Sequence, residues 1–332
     1  MIKVVIVGFG FMGRTHASEI QSSKNLELIA IVDKDIDDIL QGLDNVKGNL
    51  DVGSIGSESI RSINRYYSFT ECLKNEKPDS VHVCVHTDMH YEIAHEALKR
   101  GINVLIEKPL SLDLKKGRDL INQAREKELT VMVGHVVRFM PAYRQLKTWI
   151  NDNQFGRLEF LYMNRVSGIP LWGQWRSKQT DFGSSGGALF DLVIHDIDFV
   201  LYALGRPPDE ITSNYLPGKL SNHDYVSADW KYNDKKIDIR VEGGNIFHSK
   251  FPFRAGFFAR FEKASISYTT DKPEILVVSD NDQTKTIDAG KPELGFKNEI
   301  NYFYKCIENS SQPYECMPED SLKTIETCYR HI

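Results

Sequence analysis

The sequence predicts two domains of different class. The first is an α/β domain of alternating strands and helices over residues 1–133, and the second, over 134–332, is an α+β domain built on a mostly antiparallel sheet. Three observations carry this. A chain of 332 residues is too long for one ordinary compact core. Its first part repeats the order strand, turn, helix, with near-continuous apolar strands of the kind that a parallel sheet covered on both faces requires. From Phe160 onward the repeat gives way to strands in succession with short connections.

The first strand, Ile2 to Val7, is β-branched throughout except for Lys3, as a central strand should be. It runs into Gly8-Phe9-Gly10-Phe11-Met12-Gly13. The first glycine allows a tight turn, the second lets backbone N–H groups approach a pyrophosphate, and the third allows close packing of a helix that continues through His16, Ala17 and Ile20. The glycine spacing is common by itself, but here it follows a strand and opens a helix. A second strand, Leu26 to Val32, answers it and ends in Asp33, 20 residues after Gly13. A carboxylate there accepts hydrogen bonds from ribose hydroxyls and repels a 2′-phosphate. Gly8, Gly10, Phe11, Met12, Gly13 and Asp33 are therefore the expected cofactor-binding group, and NAD is favoured; Lys34 beside the acid keeps NADP open.

Residues 35–64 are acidic and glycine-containing, and read as a crossover on the sheet rim. After them a strand near Arg65 to Tyr67, a helix from Thr70 to Asn75, a strand Ser80 to Val85 and a helix His90 to Arg100 continue the alternation. The strand Asn103 to Ile106 delivers Glu107-Lys108-Pro109 at its carboxyl end, the edge where open α/β sheets hold ligands, so Glu107 joins the cofactor-binding group. A lysine before proline stays extended or precedes a cis bond, which fixes where its ammonium points. A helix Leu112 to Lys127 and a strand Thr130 to Val133 lead into Gly134-His135-Val136-Val137-Arg138-Phe139, where the first domain ends.

In the second half, Leu158 to Val166, Tyr225 to Tyr232, Lys236 to Glu242, Ala255 to Glu262, Ala264 to Thr270 and Glu274 to Ser279 read as strands. A helix from Gly187 to Leu204 covers them. Its spacing puts Asp191, His195 and Asp198 on one side amid apolar residues, so that side faces either a site or a satisfied polar core. Between strand and helix lies Trp172-Gly173-Gln174-Trp175-Arg176. Rings beside amide and guanidinium donors suit a polyhydroxylated ligand, and Trp172, Trp175, Arg176 and Arg138 are the substrate candidates. Phe257 and Phe258 read as core or subunit contact. Helices from about Leu294 to Glu308 and Pro318 to His331 follow.

Net charge is −5 with no basic cluster, against a nucleic-acid partner. Five cysteines show no CxxC spacing, so reduced thiols are expected, with neither a disulfide framework nor a metal. No apolar run has the length of a membrane span, and the chain opens on a strand pattern without a leader, so a cytoplasmic protein is expected.

Taken together, Gly8-Gly10-Gly13, Glu107-Lys108-Pro109, Gly134-His135 with Arg138-Phe139, and Gly186-Gly187 followed by Asp191 and His195 resemble the Gfo/Idh/MocA oxidoreductases, over nearly the whole chain. The resemblance implies a Rossmann domain followed by a domain with a large open sheet, and a catalytic group of Lys108, Asp191 and His195. It implies an NAD(P)-dependent oxidoreductase that transfers a hydride between nicotinamide and a secondary alcohol or ketone of a sugar, polyol or related small molecule. It also implies a homodimer or homotetramer formed through the sheet. Two alternatives stay open: an NAD-dependent glycoside hydrolase working through transient oxidation, and a non-catalytic NAD-binding regulator. The chain departs from the family pattern at His86, where a proline is common; an exposed loop histidine is expected there.

Overall fold

The computed structural model describes residues 1–37, 60, 62–169, 186–234 and 236–332. The chain forms two compact units, Met1–His135 with Phe296–Leu322, and Val136–Gly295 with Lys323–Ile332. Where a single cut at 133/134 was expected, residues 296–322 return to the first unit.

The first unit holds a six-stranded parallel sheet in the order β3-β2-β1-β4-β5-β6. Its strands are β1 (Ile2–Val7), β2 (Leu26–Val32), β3 (Asn64–Tyr66), β4 (Ser80–Val83), β5 (Asn103–Glu107) and β6 (Val131–Gly134). Val4, Val5 and Ile6 of β1 are fully buried, which accounts for the unbroken β-branched run. Helices α1 (Phe11–Ser22), α2 (Phe69–Asn75), α3 (His90–Lys99) and α4 (Leu114–Glu126) connect the strands. Strand order runs one way from β1 to β3 and the other way from β4 to β6. The carboxyl ends of β1 and β4 therefore flank the switch point, where such sheets open a ligand crevice. Most of the expected 35–64 crossover lies outside the described residues.

The second unit is built on an eight-stranded sheet, β14-β13-β12-β11-β7-β10-β9-β8, antiparallel except where β10 pairs with β7. The strands are β7 (Leu158–Gly168), β8 (Glu210–Leu216), β9 (Tyr225–Lys231), β10 (Asp238–Phe247), β11 (Arg254–Phe261), β12 (Ser265–Thr269), β13 (Ile275–Ser279) and β14 (Thr284–Asp288). Alternate residues are buried along each inner strand: Leu161 and Met163 on β7, Val226, Ala228 and Trp230 on β9, Phe257 and Ala259 on β11. Helix α5 (Pro141–Asn151) precedes β7, and α6 (Ile194–Leu204) follows a π turn at Leu189–Val193. Two further helices, α7 (Leu294–Glu308) and α8 (Pro318–Tyr329), complete the order. The sequence reading misses β8 and β14. Both are edge strands with polar, largely exposed residues, so the burial that writes an apolar alternation into a strand is absent.

Candidate functional site

The turn after β1 has the geometry that its glycines predict. Gly8 adopts φ +92°, and a side chain there would collide with the Cys84 carbonyl at the end of β4; one at Gly13 would strike the Gly8 carbonyl. Gly10 differs. A methyl group there would meet no protein atom, so packing does not demand glycine, and the residue caps α1 without a side-chain hydrogen bond. The first N–H groups of α1, from Phe11, Met12 and Gly13, thus open on a space that a phosphate group fits. Asp33, at the end of β2, is tied to this turn: its Oδ2 accepts from Phe9 N–H at 2.8 Å and its Oδ1 from Asp35 N–H at 3.0 Å. Arg14 is lowered in basicity by burial, which Asp33 opposes, and its Nε reaches Phe9 O at 3.4 Å.

At the end of β5 the Lys108-Pro109 peptide is cis and the Lys108 side chain is partly exposed. The loop beyond it is held by a residue that the sequence reading passes over. His90, buried at the start of α3, places Nδ1 2.8 Å from the Pro109 carbonyl and Nε2 3.0 Å from the Val85 carbonyl. One imidazole thereby stands between the loop after β4 and the loop after β5, and in its neutral form it donates to one of the two carbonyls. Burial pushes His90 toward its neutral form, against the pull of both carbonyls. The signal was present only as a histidine at a helix start, which carries nothing until its long-range partners are known. Glu107 is buried, with its carboxylate turned toward His16 on α1. His86 is exposed, as expected, at the start of a 3-10 turn at Thr87–Met89.

In the second unit, Gly186 and Gly187 take φ +82° and +71°, and a side chain on Gly187 would overlap the Ser221 hydroxyl. They launch the π turn that carries Asp191, and His195 stands in the first turn of α6. Asp191 and His195 are the partly exposed residues of a segment otherwise packed inward. Widened turns of this kind recur where a helix presents functional side chains.

Asp198 does not share that face. It is buried, accepts from Arg138 Nε and Nη2 at 2.7 Å each, and accepts from the Thr324 hydroxyl at 2.9 Å. Arg138, expected among the substrate contacts, is corrected by the same geometry: only 1% of its surface is exposed, and its guanidinium is engaged two-pronged inside the unit. The neighbouring Asp196 pairs in the same manner with Arg165, at 2.8 and 3.2 Å. Burial works against the Arg165 charge, but Asp196 and Tyr143 outweigh it and raise its pKa. Two buried ion pairs, at the first and third residues after His195, therefore clamp the helix. Trp172, Trp175 and Arg176 lie outside the described residues.

Comparison with known proteins agrees with this geometry. Residues 2–135 match the family described as "Oxidoreductase family, NAD-binding Rossmann fold", and residues 143–242 match "GFO/IDH/MocA C-terminal domain". D-glucoside 3-dehydrogenase of Escherichia coli is 28% identical over 209 residues, which is 62% of this chain and 55% of that protein. The 1,5-anhydro-D-fructose reductase of Ensifer adhaerens is 25% identical over 272 residues, 78% of each. The match thus spans about half the length of the first relative. Among solved structures, UDP-N-acetylglucosamine 3-dehydrogenase from Acidithiobacillus ferrooxidans has the same fold, with a TM-score of 0.79 at 19% identity over 99% of this chain and 96% of that one. The protein is a member of the Gfo/Idh/MocA oxidoreductase family, with an NAD-binding Rossmann domain followed by that family's C-terminal domain.

Proposed function

We propose that this protein is an NAD-dependent oxidoreductase that moves a hydride between nicotinamide and a secondary alcohol or ketone of a sugar, polyol or related small molecule. One observation carries the reading. The glycine turn, the Asp33 carboxylate and Lys108 all occupy the carboxyl edge of a single parallel sheet, at the ends of β1, β2 and β5. The open space at Gly10 and the tethered acid at Asp33 fit a dinucleotide with a free ribose 2′-hydroxyl, hence NAD.

Bound NAD supplies the hydride acceptor. Lys108 holds the reacting oxygen and stabilises the negative charge that develops on it. His195 takes the hydroxyl proton in oxidation and returns it in reduction, and Asp191 orients the substrate hydroxyls. His195 and Lys108 could exchange these two proton roles without altering the rest. Trp172, Trp175 and Arg176 supply stacking and hydrogen bonds to the polyol. None of the five cysteines is in a disulfide, which fits a cytoplasmic location, and the reading includes a homodimer or homotetramer formed through the second unit's sheet. No helix among the described residues is long and apolar enough to cross a membrane.

Screening polyols and aldoses for NAD reduction tests the reading. One of them should give free NADH on turnover, and Lys108→Ala should lose turnover by roughly 10²- to 10³-fold while keeping its affinity for NAD. Unchanged turnover in Lys108→Ala would overturn the assignment. Glycoside cleavage without release of NADH would favour the hydrolase reading instead.

A further inference from the structure

A second group of ionisable side chains lies buried within the first unit, and apart from Glu107, expected in the cofactor-binding group, the proposed hydride transfer makes no use of it. His16 lies on α1, His82 on β4, Glu107 at the end of β5, and Glu299 and Tyr304 on α7. His16, His82 and Glu299 have no exposed surface, and Glu107 has 7%. His16 Nε2 is 3.1 Å from Glu107 Oε1, and one ligand atom from each of His16, Glu107 and Glu299 lies within 4.8 Å of the other two. We propose that these three residues form a binding site for one first-row divalent cation of the zinc type, which ties α1, the end of β5 and α7 together.

Three features support the site. Two carboxylates held this close in a dry interior repel each other when ionised, and a dication between them removes that repulsion. Ligand atoms about 2.0–2.2 Å from a tetrahedral zinc stand about 3.3–3.6 Å apart, so the 3.1 Å between the imidazole nitrogen and the Glu107 oxygen is within a few tenths of an ångström of what a shared ion needs.

The third feature is the support behind the imidazole. His16 Nδ1 is 2.9 Å from His82 Nδ1, His82 Nε2 is 2.7 Å from the Tyr304 hydroxyl, and that hydroxyl is 2.9 Å from Ser80 Oγ. When His16 gives its Nε2 lone pair to a cation, its proton sits on Nδ1 and donates to His82 Nδ1. His82 then donates from Nε2 to Tyr304, and Tyr304 to Ser80. Every link has a donor and an acceptor, so the chain accommodates the tautomer that a metal ligand needs. Without the cation, Nε2–H faces Glu107 and the three hydrogen bonds of the chain reverse, with none of them lost. Cys84 Sγ, 3.6 Å from His16 Nδ1, lies on the opposite edge of the ring and stays outside the ligand set.

The test uses the full-length protein after treatment with a chelator. Calorimetric titration with Zn²⁺ should show one equivalent bound, with a rise in melting temperature. Co²⁺ should give visible bands of nitrogen and oxygen ligation, without a thiolate charge-transfer band. Glu299→Gln should weaken Zn²⁺ binding at least tenfold and abolish the thermal shift. His82→Phe, which leaves all three ligands in place, should weaken binding about 10- to 100-fold at unchanged stoichiometry. Zn²⁺ that fails to bind, binds Glu299→Gln as tightly as the unmodified protein, or gives a thiolate band with Co²⁺ would overturn the proposal, and His82→Phe decides it if Glu299→Gln does not fold. None of these readouts is enzymatic, so their failure leaves the hydride-transfer reading untouched.

Discussion

His331 sits in a hydrogen-bond pattern that a neutral imidazole satisfies and an imidazolium does not. Its Nδ1 donates to the Thr327 carbonyl at 2.7 Å, while its Nε2 accepts from Trp230 Nε1 at 2.9 Å. A proton on Nε2 would set two donors against each other. Burial, with a smaller push from the Arg330 charge, lowers its pKa from 6.5 to about 4 against the pull of the Thr327 carbonyl. The unfolded chain therefore binds the proton from pH 6.5 downward and the folded chain only near pH 4, so the contribution to stability is full above that window and falls as pH drops through it, by up to roughly 3 kcal/mol. Denaturant titrations between pH 7 and 4.5 should show a smaller loss of stability in His331→Gln than in the unmodified protein; equal slopes would exclude His331 as a source. The residue scale is also where sequence reading succeeds and fails most sharply. Asp33 is identifiable because it ends the strand that answers the glycine turn, 20 residues after Gly13. Arg138 is not, because an arginine reads alike whether it meets a substrate or Asp198, and only the fold shows which.

At the scale of the element, the π turn and α6 form the most constrained segment of the second unit. Positive φ at Gly186 and Gly187 sets the entry, and the Arg138–Asp198 and Arg165–Asp196 pairs hold the exit. Gly187→Ala would place a side chain in left-handed backbone and against Ser221, whose hydroxyl donates to Asp224 at 2.7 Å. It should cost about 2 kcal/mol in chemical denaturation and lower activity beyond that loss by displacing Asp191. A variant of native stability and full activity would show that the turn tolerates a side chain. Asp198→Ala should be worse, about 3–5 kcal/mol, since it leaves the Arg138 charge buried without its carboxylate. The helical pattern here is plain in the sequence. The change of pitch is not, because a π turn keeps the apolar content of a helix and alters only its phase.

For the whole molecule, the outer face of the eight-stranded sheet matters most. Phe258 is 46% exposed and stacks on Tyr162 with ring centroids 6.0 Å apart, and Phe160 stands near it on the same face. A surface of this kind is characteristic of a subunit contact. If the proposed dimer or tetramer forms through this face, Phe258→Asp should shift the protein toward monomer in sedimentation, and its melting temperature should lose the concentration dependence of an oligomer; an unchanged sedimentation coefficient would place the contact elsewhere. Phe257, one residue earlier, is fully buried on the inner face, which is the alternation that a two-faced sheet imposes.

The sequence by itself determined what neighbours along the chain control: the glycine turn and its acid, the alternation of strands and helices in the first half, the succession of strands in the second, and the paired motifs that mark the family. These are set by local backbone conformation and by apolar periodicity, both written in consecutive residues. Only the tertiary structure decided the return of residues 296–322 to the first unit, the bridging role of His90, the commitment of Arg138 to Asp198, and the gathering of His16, Glu107 and Glu299. Each of these depends on side chains far apart in the sequence meeting in a dry interior, where a polar group must find its partner at whatever chain distance the fold provides.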